Sequence, residues 1–358
     1  MRWTLLLSAL CACGGAVTPE SAGDAGEVSD SAVPDTALTD SALPDTGSLD
    51  TAVVPGPVPP PRPTTTATGG KTVWFAINAL ELGVTPSIAW RDIGWDLDGR
   101  TTTKELSATS TNTCRRVTGA PVSILADGHE GRDNNFGAQV ASVLRALEPD
   151  LEKNLRAEYA AGGPTVLLLL SNVAGDDNAS VPGELYVSSK RGGCSGVPGI
   201  YAIDARSVDD TKRARVKFPK GYMAGGLWVS GDLGADRFDL QLPWRGRLFT
   251  IPLESGVITL RPSDRAPGTI AGASRVDLLE KAMLSPLLAM GLCPGGAPYD
   301  QVVQTVRASA DLVSGAPSLQ DLTRTCDAMS VGIDFVAEPV TVEDCRTGTP
   351  DVPSPCGG

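Results

Sequence analysis

The chain has 358 residues, of which 41% are hydrophobic and 20% charged, and its formal net charge is −12 at pH 7. This composition is typical of a folded protein with a sizeable core. The acidity argues against nucleic acid and anionic lipid as partners. The single histidine excludes zinc sites that need two histidines, including the HExxH metalloprotease motif.

The first thirteen residues, MRWTLLLSALCAC, join one basic residue to a short apolar run. Such a run is too short to span a bilayer and is typical of a secretory signal. Its end, LCAC (10–13), resembles the lipobox of bacterial lipoproteins, and this resemblance covers the targeting segment only. It implies a signal peptide over 1–12, lipid on Cys13 and anchoring in the outer membrane, because Gly14 replaces the aspartate of the inner-membrane retention signal. The alternative is an ordinary secretory signal with incidental cysteines.

Residues 13–70 have no helical or strand period. The segment is rich in Ala, Ser, Thr, Pro and Asp, and it repeats DSAVPDTALT (30–39) as DSALPDTGSL (40–49). Its composition predicts a disordered tether that follows the lipidated cysteine, with PVPPPRP (57–63) as stiff polyproline II. We interpret the tether as a spacer that holds a folded domain away from the membrane. A low-complexity tail without a role is the alternative.

The predicted elements of the folded part begin with strands. TVWFAIN (72–78) has the composition of a strand. Over 87–97 apolar residues alternate, which predicts a second strand, and Asp98-Gly99 then predicts a tight hairpin turn. APVSILA (120–126) is typical of a short buried strand.

A helical pattern follows, with apolar residues at three- and four-residue spacing over 140–159. Pro149 is expected to divide this helix and Gly162-Gly163 to end it. TVLLLLSNV (165–173) and GELYVSS (183–189) then predict a hairpin.

The region 226–260 alternates apolar residues between turn signals, and TIAG (269–272) extends that sheet. Apolar stripes predict helices over 276–292 and 299–312, and SVGIDFVAE (330–338) a last strand. The whole predicts an α+β fold weighted to β, in which an antiparallel sandwich-like sheet carries inserted and C-terminal helices. We expect a mainly β domain over 71–272, and a helical part over 273–358 that packs on the same domain and ends in a disulfide-tied tail.

Six cysteines remain after the targeting segment, and their even number in an exported chain predicts disulfides. They are Cys114, Cys194, Cys293, Cys326, Cys345 and Cys356. Six cysteines allow 15 pairings. Proximity in sequence favours Cys114–Cys194, Cys293–Cys326 and Cys345–Cys356.

The stretch DGHEGRDNNFG (127–137) is the first candidate site because it concentrates oxygen-bearing side chains. Asp127, Glu130, Asp133 and Asn135 are candidate calcium ligands, since calcium takes six to eight oxygens. The EF-hand pattern fails because Arg132 stands where that loop needs glycine. An irregular calcium site, shared with the acidic loops WDLDGR (95–100) and AGDDNAS (174–180), stays open. The alternative is a turn followed by a helix cap.

Trp90, Trp95, Trp228 and Trp244 are candidate stacking faces for sugar rings, with a place in the core as the alternative for each. Trp244, between a proline and an arginine, is the best candidate for an exposed one. No serine lies in a GxSxG motif and no phosphate-binding loop is present, so no catalytic residue is assigned. Carboxylate chemistry stays open, because it needs only two acidic residues that the fold brings together.

Two hypotheses about function follow. The first is a lipid-anchored protein of the cell envelope, not an enzyme, with a binding or structural domain displayed on the tether. Its partners would be the membrane, through the lipid anchor, and a glycan or another envelope protein. The alternative is a carboxylate-dependent hydrolase of envelope or extracellular glycan, which requires a cleft with two carboxyl groups facing each other.

Overall fold

The computed structural model describes residues 56–86, 88–102, 114–197, 199–315, 321–348 and 356. Cys13 and the repeats of the tether lie outside the described residues. The described residues all belong to one compact unit. It has the predicted α+β fold weighted to β, with a large sheet of mostly antiparallel strands and a few helices. Among the described helices, none combines the length and the apolarity that crossing a membrane requires.

The strands are β1 (Lys71–Glu81), β2 (Cys114–Arg115), β3 (Val166–Val173), β4 (Gly183–Arg191), β5 (Ile200–Asp204), β6 (Val216–Phe218), β7 (Tyr222–Ala224), β8 (Leu227–Val229), β9 (Asp236–Trp244), β10 (Arg247–Leu260), β11 (Ala266–Arg275), β12 (Asp321–Thr325) and β13 (Ala328–Thr347). The α-helices are α1 (Ser142–Leu147), α2 (Leu151–Ala160), α3 (Val276–Ala289) and α4 (Ala297–Ala308). A short π-helix, Phe136–Ala141, leads directly into α1.

Eleven strands form one sheet, and five of them close into a ring. Strand β1 pairs with β3, β3 with β4, β4 with β5, and β5 with the second half of β13. The middle of β13, from Asp334 to Val340, pairs with β1. All these pairs are antiparallel except β5–β13, which is parallel. Each strand of the ring contributes to one apolar cluster, which includes Ala76, Leu167, Tyr186, Tyr201 and Ile203, with Val340 and Val342 among the residues at its border.

The main core lies between the helices and the other face of the sheet. In α2, Leu151, Leu155 and Tyr159 recur every fourth residue and are buried, so one stripe of the helix faces the core. In α3, Leu279, Met283 and Leu287 do the same. The C-terminal helices therefore share one core with the sheet.

Most of the predicted elements are confirmed. They include β1, the β3–β4 hairpin, the helices on both sides of Pro149, the run β8 to β11, and β13. Two predicted strands are wrong. The region 87–97 contains a 3-10 turn, Ala89–Asp92, and irregular chain, and APVSILA (120–126) contains the 3-10 turn Val122–Leu125.

The predicted disulfide pairing is wrong in all three pairs, although all six cysteines are bridged. The pairs are Cys114–Cys326, Cys194–Cys345 and Cys293–Cys356, separated by 212, 151 and 63 residues. Strand pairing brings the first two together, since β2 lies beside β12 and β5 beside β13. The last pair ties the tail to the loop after α3.

The chain before β1 lies against the domain from Gly56 onward. Tyr222 Oη donates to the Pro60 carbonyl at 2.8 Å, and the Arg62 guanidinium donates to the carbonyls of Ala179 and Lys220 at 2.9 and 2.5 Å. That guanidinium also lies 4.5 Å from the centre of the Tyr222 ring. We call residues 56–67 the strap. The folded unit therefore starts ahead of residue 71, where the tether was expected to end.

Candidate metal centre

Aspartates from separate parts of the chain converge at one end of the core. Asp96, Asp98 and Asp133 each place a carboxylate oxygen within 4.8 Å of the other two, and all three side chains are buried. Asp127 and Asp311 are near enough that their charges act on Asp133. We call these five residues the aspartate cluster.

The loop WDLDGR (95–100) is folded around its own carboxylates. Asp96 Oδ1 accepts hydrogen bonds from the N–H groups of Asp98 and Gly99, at 3.2 and 2.6 Å. Asp98 Oδ1 accepts from the N–H of Arg100 at 2.8 Å. Gly99 has φ +76°, a conformation that suits glycine. The Asp-Gly signal thus makes a tight turn that presents carboxylates, and no strand flanks it within the described residues 88–102.

The second acidic loop is bound to the first. The Asp133 N–H donates to the Trp95 carbonyl at 3.0 Å, and Asp133 Oδ2 accepts from the Leu97 N–H at 2.6 Å. The Asp127 N–H donates to the Thr102 carbonyl at 2.9 Å, and the Asp127 carboxylate accepts from the Thr102 N–H. The two loops that the sequence marks as acidic are therefore one structural unit.

Asp311 enters from the chain after α4. Its Oδ1 accepts from the Ser330 N–H at 2.8 Å, and its Oδ2 from the Ser330 hydroxyl at 2.5 Å. Asn135 braces the same region, because its Nδ2 donates to the Ser309 and Ile124 carbonyls at 2.8 and 3.1 Å. The cluster thus joins the acidic loops to the end of α4 and to β13.

Burial and mutual repulsion both favour the protonated carboxyl groups in the absence of a cation. Burial, then the charge of Asp98, raises the pKa of Asp127 to about 9. The same two causes in the same order raise the pKa of Asp133 well above its ordinary value. Burial raises the pKa of Asp311 to about 7, although its hydrogen bonds with Ser330 act in the opposite direction. A cation among these oxygens would offset both costs.

The cluster contains two of the four predicted calcium ligands. Asp127 and Asp133 belong to it. Glu130 is exposed to solvent, and its carboxylate lies 3.6 Å from the Arg132 guanidinium. Asn135 is buried but uses its amide for the bracing bonds. From the third acidic loop, Asn178 is fully buried and binds backbone groups, including the Asn172 carbonyl at 2.9 Å.

Asp311 was missed by the sequence analysis, and no local signal marks it. It is a single aspartate in an apolar stretch far along the chain from the two acidic loops. Only its burial and its contact with Ser330 identify it. Asp96 and Asp98 were recognised as an acidic loop, but their shared position with Asp133 was not predictable from spacing.

The tryptophans differ in their exposure. Trp244, the predicted exposed one, is buried in the core at 6% exposure, so its ring cannot stack on a sugar. Trp90 and Trp95 are half-buried, and arginine guanidinium groups cover them at 5.4 and 6.0 Å from the ring centres. The single histidine, His129, is exposed and its Nδ1 lies 2.8 Å from Asp92 Oδ1, outside the aspartate cluster.

The geometry of the aspartate cluster suits an ion better than hydrolysis. Asp96 and Asp133 are 1% and 2% exposed, so a sugar ring cannot enter between their carboxylates. Two open clefts, one between β6 and β9 and one beside β1 and α2, have none of the five aspartates in their walls. Comparison with protein-family models, curated proteins and solved structures finds no match to this chain. The residues themselves therefore carry the functional argument.

Proposed function

We propose that this chain is a lipid-anchored protein of the cell envelope whose domain binds calcium in the aspartate cluster and acts as a binding or structural module. The observation that carries the calcium site is the convergence of Asp96, Asp98 and Asp133 in a buried position. The lipid anchor rests on the lipobox resemblance at Cys13, and the display of the domain rests on the composition of the tether.

The mutual repulsion of these carboxylates destabilises the folded state unless protons or a cation neutralise their charge. Of the cluster, Asp96, Asp127 and Asp133 form no ion pair with any residue that the structure describes. Asp133 has one hydrogen bond among those residues, from Leu97 to Oδ2, which leaves Oδ1 available to a ligand. A deeply buried aspartate in which one carboxylate oxygen accepts no hydrogen bond destabilises the fold unless it is protonated or binds a cation.

The donor set favours calcium over other ions. All the candidate ligands are carboxylate oxygens, which hard cations prefer, and the cluster contains no histidine or free thiol that would favour zinc. The ligands come from loops at irregular spacing. Calcium accepts irregular geometry and several carboxylates, whereas magnesium requires a near-ideal octahedron and keeps several waters.

Thermal unfolding of the mature chain in calcium and in chelator tests this proposal. We expect calcium at about 100 times its Kd to stabilise the fold by about 2.7 kcal/mol, which would raise Tm by several degrees. Asp133→Asn should abolish the shift. Asp236→Asn, at a half-buried aspartate outside the cluster whose pKa burial also raises, is the matched control and should keep the shift.

Equal stability of the unsubstituted protein in calcium and in chelator would refute the site. An equal loss of the calcium shift in both variants would also refute it, because the effect would then report general destabilisation.

A further inference from the structure

A cleft of about 620 Å³ lies between strands β6 and β9. At one end the two strands meet through Phe218 and Phe238, whose rings stand edge to face at 5.1 Å between centres. Beyond that contact the strands do not pair: within the described residues β6 pairs with β4, and β9 with β10. The cleft therefore runs between two open strand edges.

The edge of β9 that faces away from β10 contributes Asp239 and Gln241 to the wall of this cleft. In the β9–β10 ladder, Pro252 lies opposite Asp239 and Pro243 opposite Leu248. An antiparallel ladder alternates between hydrogen-bonded and non-hydrogen-bonded pairs of residues. Because proline has no N–H to donate, these two pairs are of the non-hydrogen-bonded kind. The N–H and C=O groups of Asp239 and of Gln241, two residues on, consequently point away from β10. No backbone bond outside the regular ladders engages them among the described residues.

The β6 side of the cleft is cationic. Arg215, in the bend just before β6, and Lys217, within the strand, are both exposed and both line the cleft. Neither forms an ion pair with a described carboxylate, and Arg215 Nε donates only to the Arg206 carbonyl at 3.1 Å. The nearby Asp209 carboxylate accepts hydrogen bonds within its own loop, from the N–H groups of Thr211 and Arg213 at 2.9 and 3.0 Å.

We propose that this cleft binds an extended acidic segment of a partner protein by β-strand addition to β9. Backbone bonds to Asp239 and Gln241 would supply the affinity, and carboxylates at alternate positions of the segment would meet Arg215 and Lys217. The half-buried Val216 and the buried Phe238 provide apolar contact for the side chains between them. This inference specifies the partner of the binding role proposed above, and it does not depend on the calcium site.

Charged side chains also protect open strand edges from self-association, so the experiment has to separate the two roles. The probe is a short fluorescent peptide in which aspartate alternates with valine, titrated with the full mature chain in calcium. One control peptide has lysine in place of aspartate. A second keeps the aspartates but carries N-methylated amides, which cannot donate to a strand edge.

We expect only the first peptide to bind saturably. Lys217→Glu should weaken it about tenfold or more. Lys153→Glu makes the same charge change on an exposed face of α2 and should leave binding unaltered. Gln241→Pro removes one backbone donor that faces the cleft and should abolish binding, whereas Gln241→Ala keeps that donor and should bind normally.

Equal binding of the N-methylated peptide, or equal losses in Lys217→Glu and Lys153→Glu, would overturn the proposal. So would the absence of binding by a chain that is folded and stabilised by calcium, and in that case the calcium site would stand. A concentration-dependent dimer that Lys217→Glu dissociates would replace the partner segment with a second copy of the chain. Should Gln241→Pro fail to fold, the N-methylated peptide still decides the question.

Discussion

The backbone N–H of Gly56 donates a hydrogen bond to Asp96 Oδ2 at 2.6 Å, and the Asp96 N–H donates to the Pro57 carbonyl at 2.9 Å. The first residue of the strap is thus bonded to a member of the aspartate cluster. The fit is tight, since a Cβ on Gly56 would lie 2.5 Å from the Glu130 carbonyl oxygen and 2.8 Å from the Asp96 Cβ. The strap and the candidate calcium site should therefore respond to each other.

Gly56→Ala is expected to displace the strap and to loosen Asp96. We expect a loss of about 1–3 kcal/mol in the free energy of unfolding and a several-fold weaker calcium affinity, because neither the Glu130 carbonyl oxygen nor the Asp96 Cβ can move without a shift of the backbone. Isothermal titration with calcium and urea unfolding measure the two effects. Gly348→Ala is the control, as no atom lies within 4 Å of its added Cβ. Unchanged calcium affinity in Gly56→Ala would separate the strap from the site.

The pH dependence of stability should differ between the calcium-free and calcium-bound protein. The folded state raises the pKa of Asp127 to about 9 and that of Asp311 to about 7, from an ordinary value of 3.8. It therefore holds protons that the unfolded chain releases. In chelator, this contribution to stability is complete below about pH 4 and is lost as pH rises toward about 9. Calcium replaces the protons, so its affinity should increase with pH.

Urea unfolding across this pH range, with and without calcium, measures the effect. Asp133→Asn removes one carboxylate and its repulsion, so the decline of stability in chelator should be shallower in this variant. The interpretation fails if the decline is equally steep in Asp133→Asn and in the unsubstituted protein.

The disulfides should differ in their effect on the calcium site. The Cys114–Cys326 bridge closes the longest loop, and the Asp311 carbonyl lies 3.1 Å from Cys114 Sγ. Replacing both cysteines by alanine is expected to cost about 5 kcal/mol in the chain-entropy model. It should also weaken calcium binding, because Asp311 loses its support. The same replacement of Cys293 and Cys356 destabilises the fold but should leave calcium affinity unchanged. Peptide mapping under non-reducing conditions checks the pairing itself.

The anchor has a separate test. Cys13→Ala should abolish labelling by a radioactive lipid precursor and release the protein from the membrane fraction, because two or three acyl chains are what make such anchoring durable. Cys11→Ala should leave the labelling intact. Labelling that persists in Cys13→Ala would refute the lipobox interpretation.

An element is predictable from the sequence where it carries its own periodic pattern. Strands β1, β3 and β9 and the helices α2 and α3 show such patterns and are confirmed. The strand predicted over 87–97 is wrong, although Ile93, Trp95 and Leu97 alternate as in a strand. In the structure this alternation lies in a loop. Ile93 and Leu97 are buried there, and the Asp96 carboxylate between them accepts hydrogen bonds from the N–H groups of Gly99 and Gly56.

The candidate site was predictable only in part, for a related reason. Asp96, Asp98, Asp127 and Asp133 stand out as local acidic loops, whereas Asp311 has no such neighbours. The disulfide pairing was wrong because distance along the sequence is a poor guide when strands from opposite ends of the chain lie side by side. Strand β13 shows this most clearly, since it pairs with β1, β5 and β11.

The ring of strands limits when the protein can complete its folding. Its closing strand, β13, is also the last strand that the structure describes, and it holds β1 and β5 in register. Contacts between such distant segments form slowly, because the long intervening loop must be ordered first. The ring cannot close until the C-terminal residues have been synthesised. A chain released before β13 is complete would therefore leave β1 and β5 without the strand that joins them.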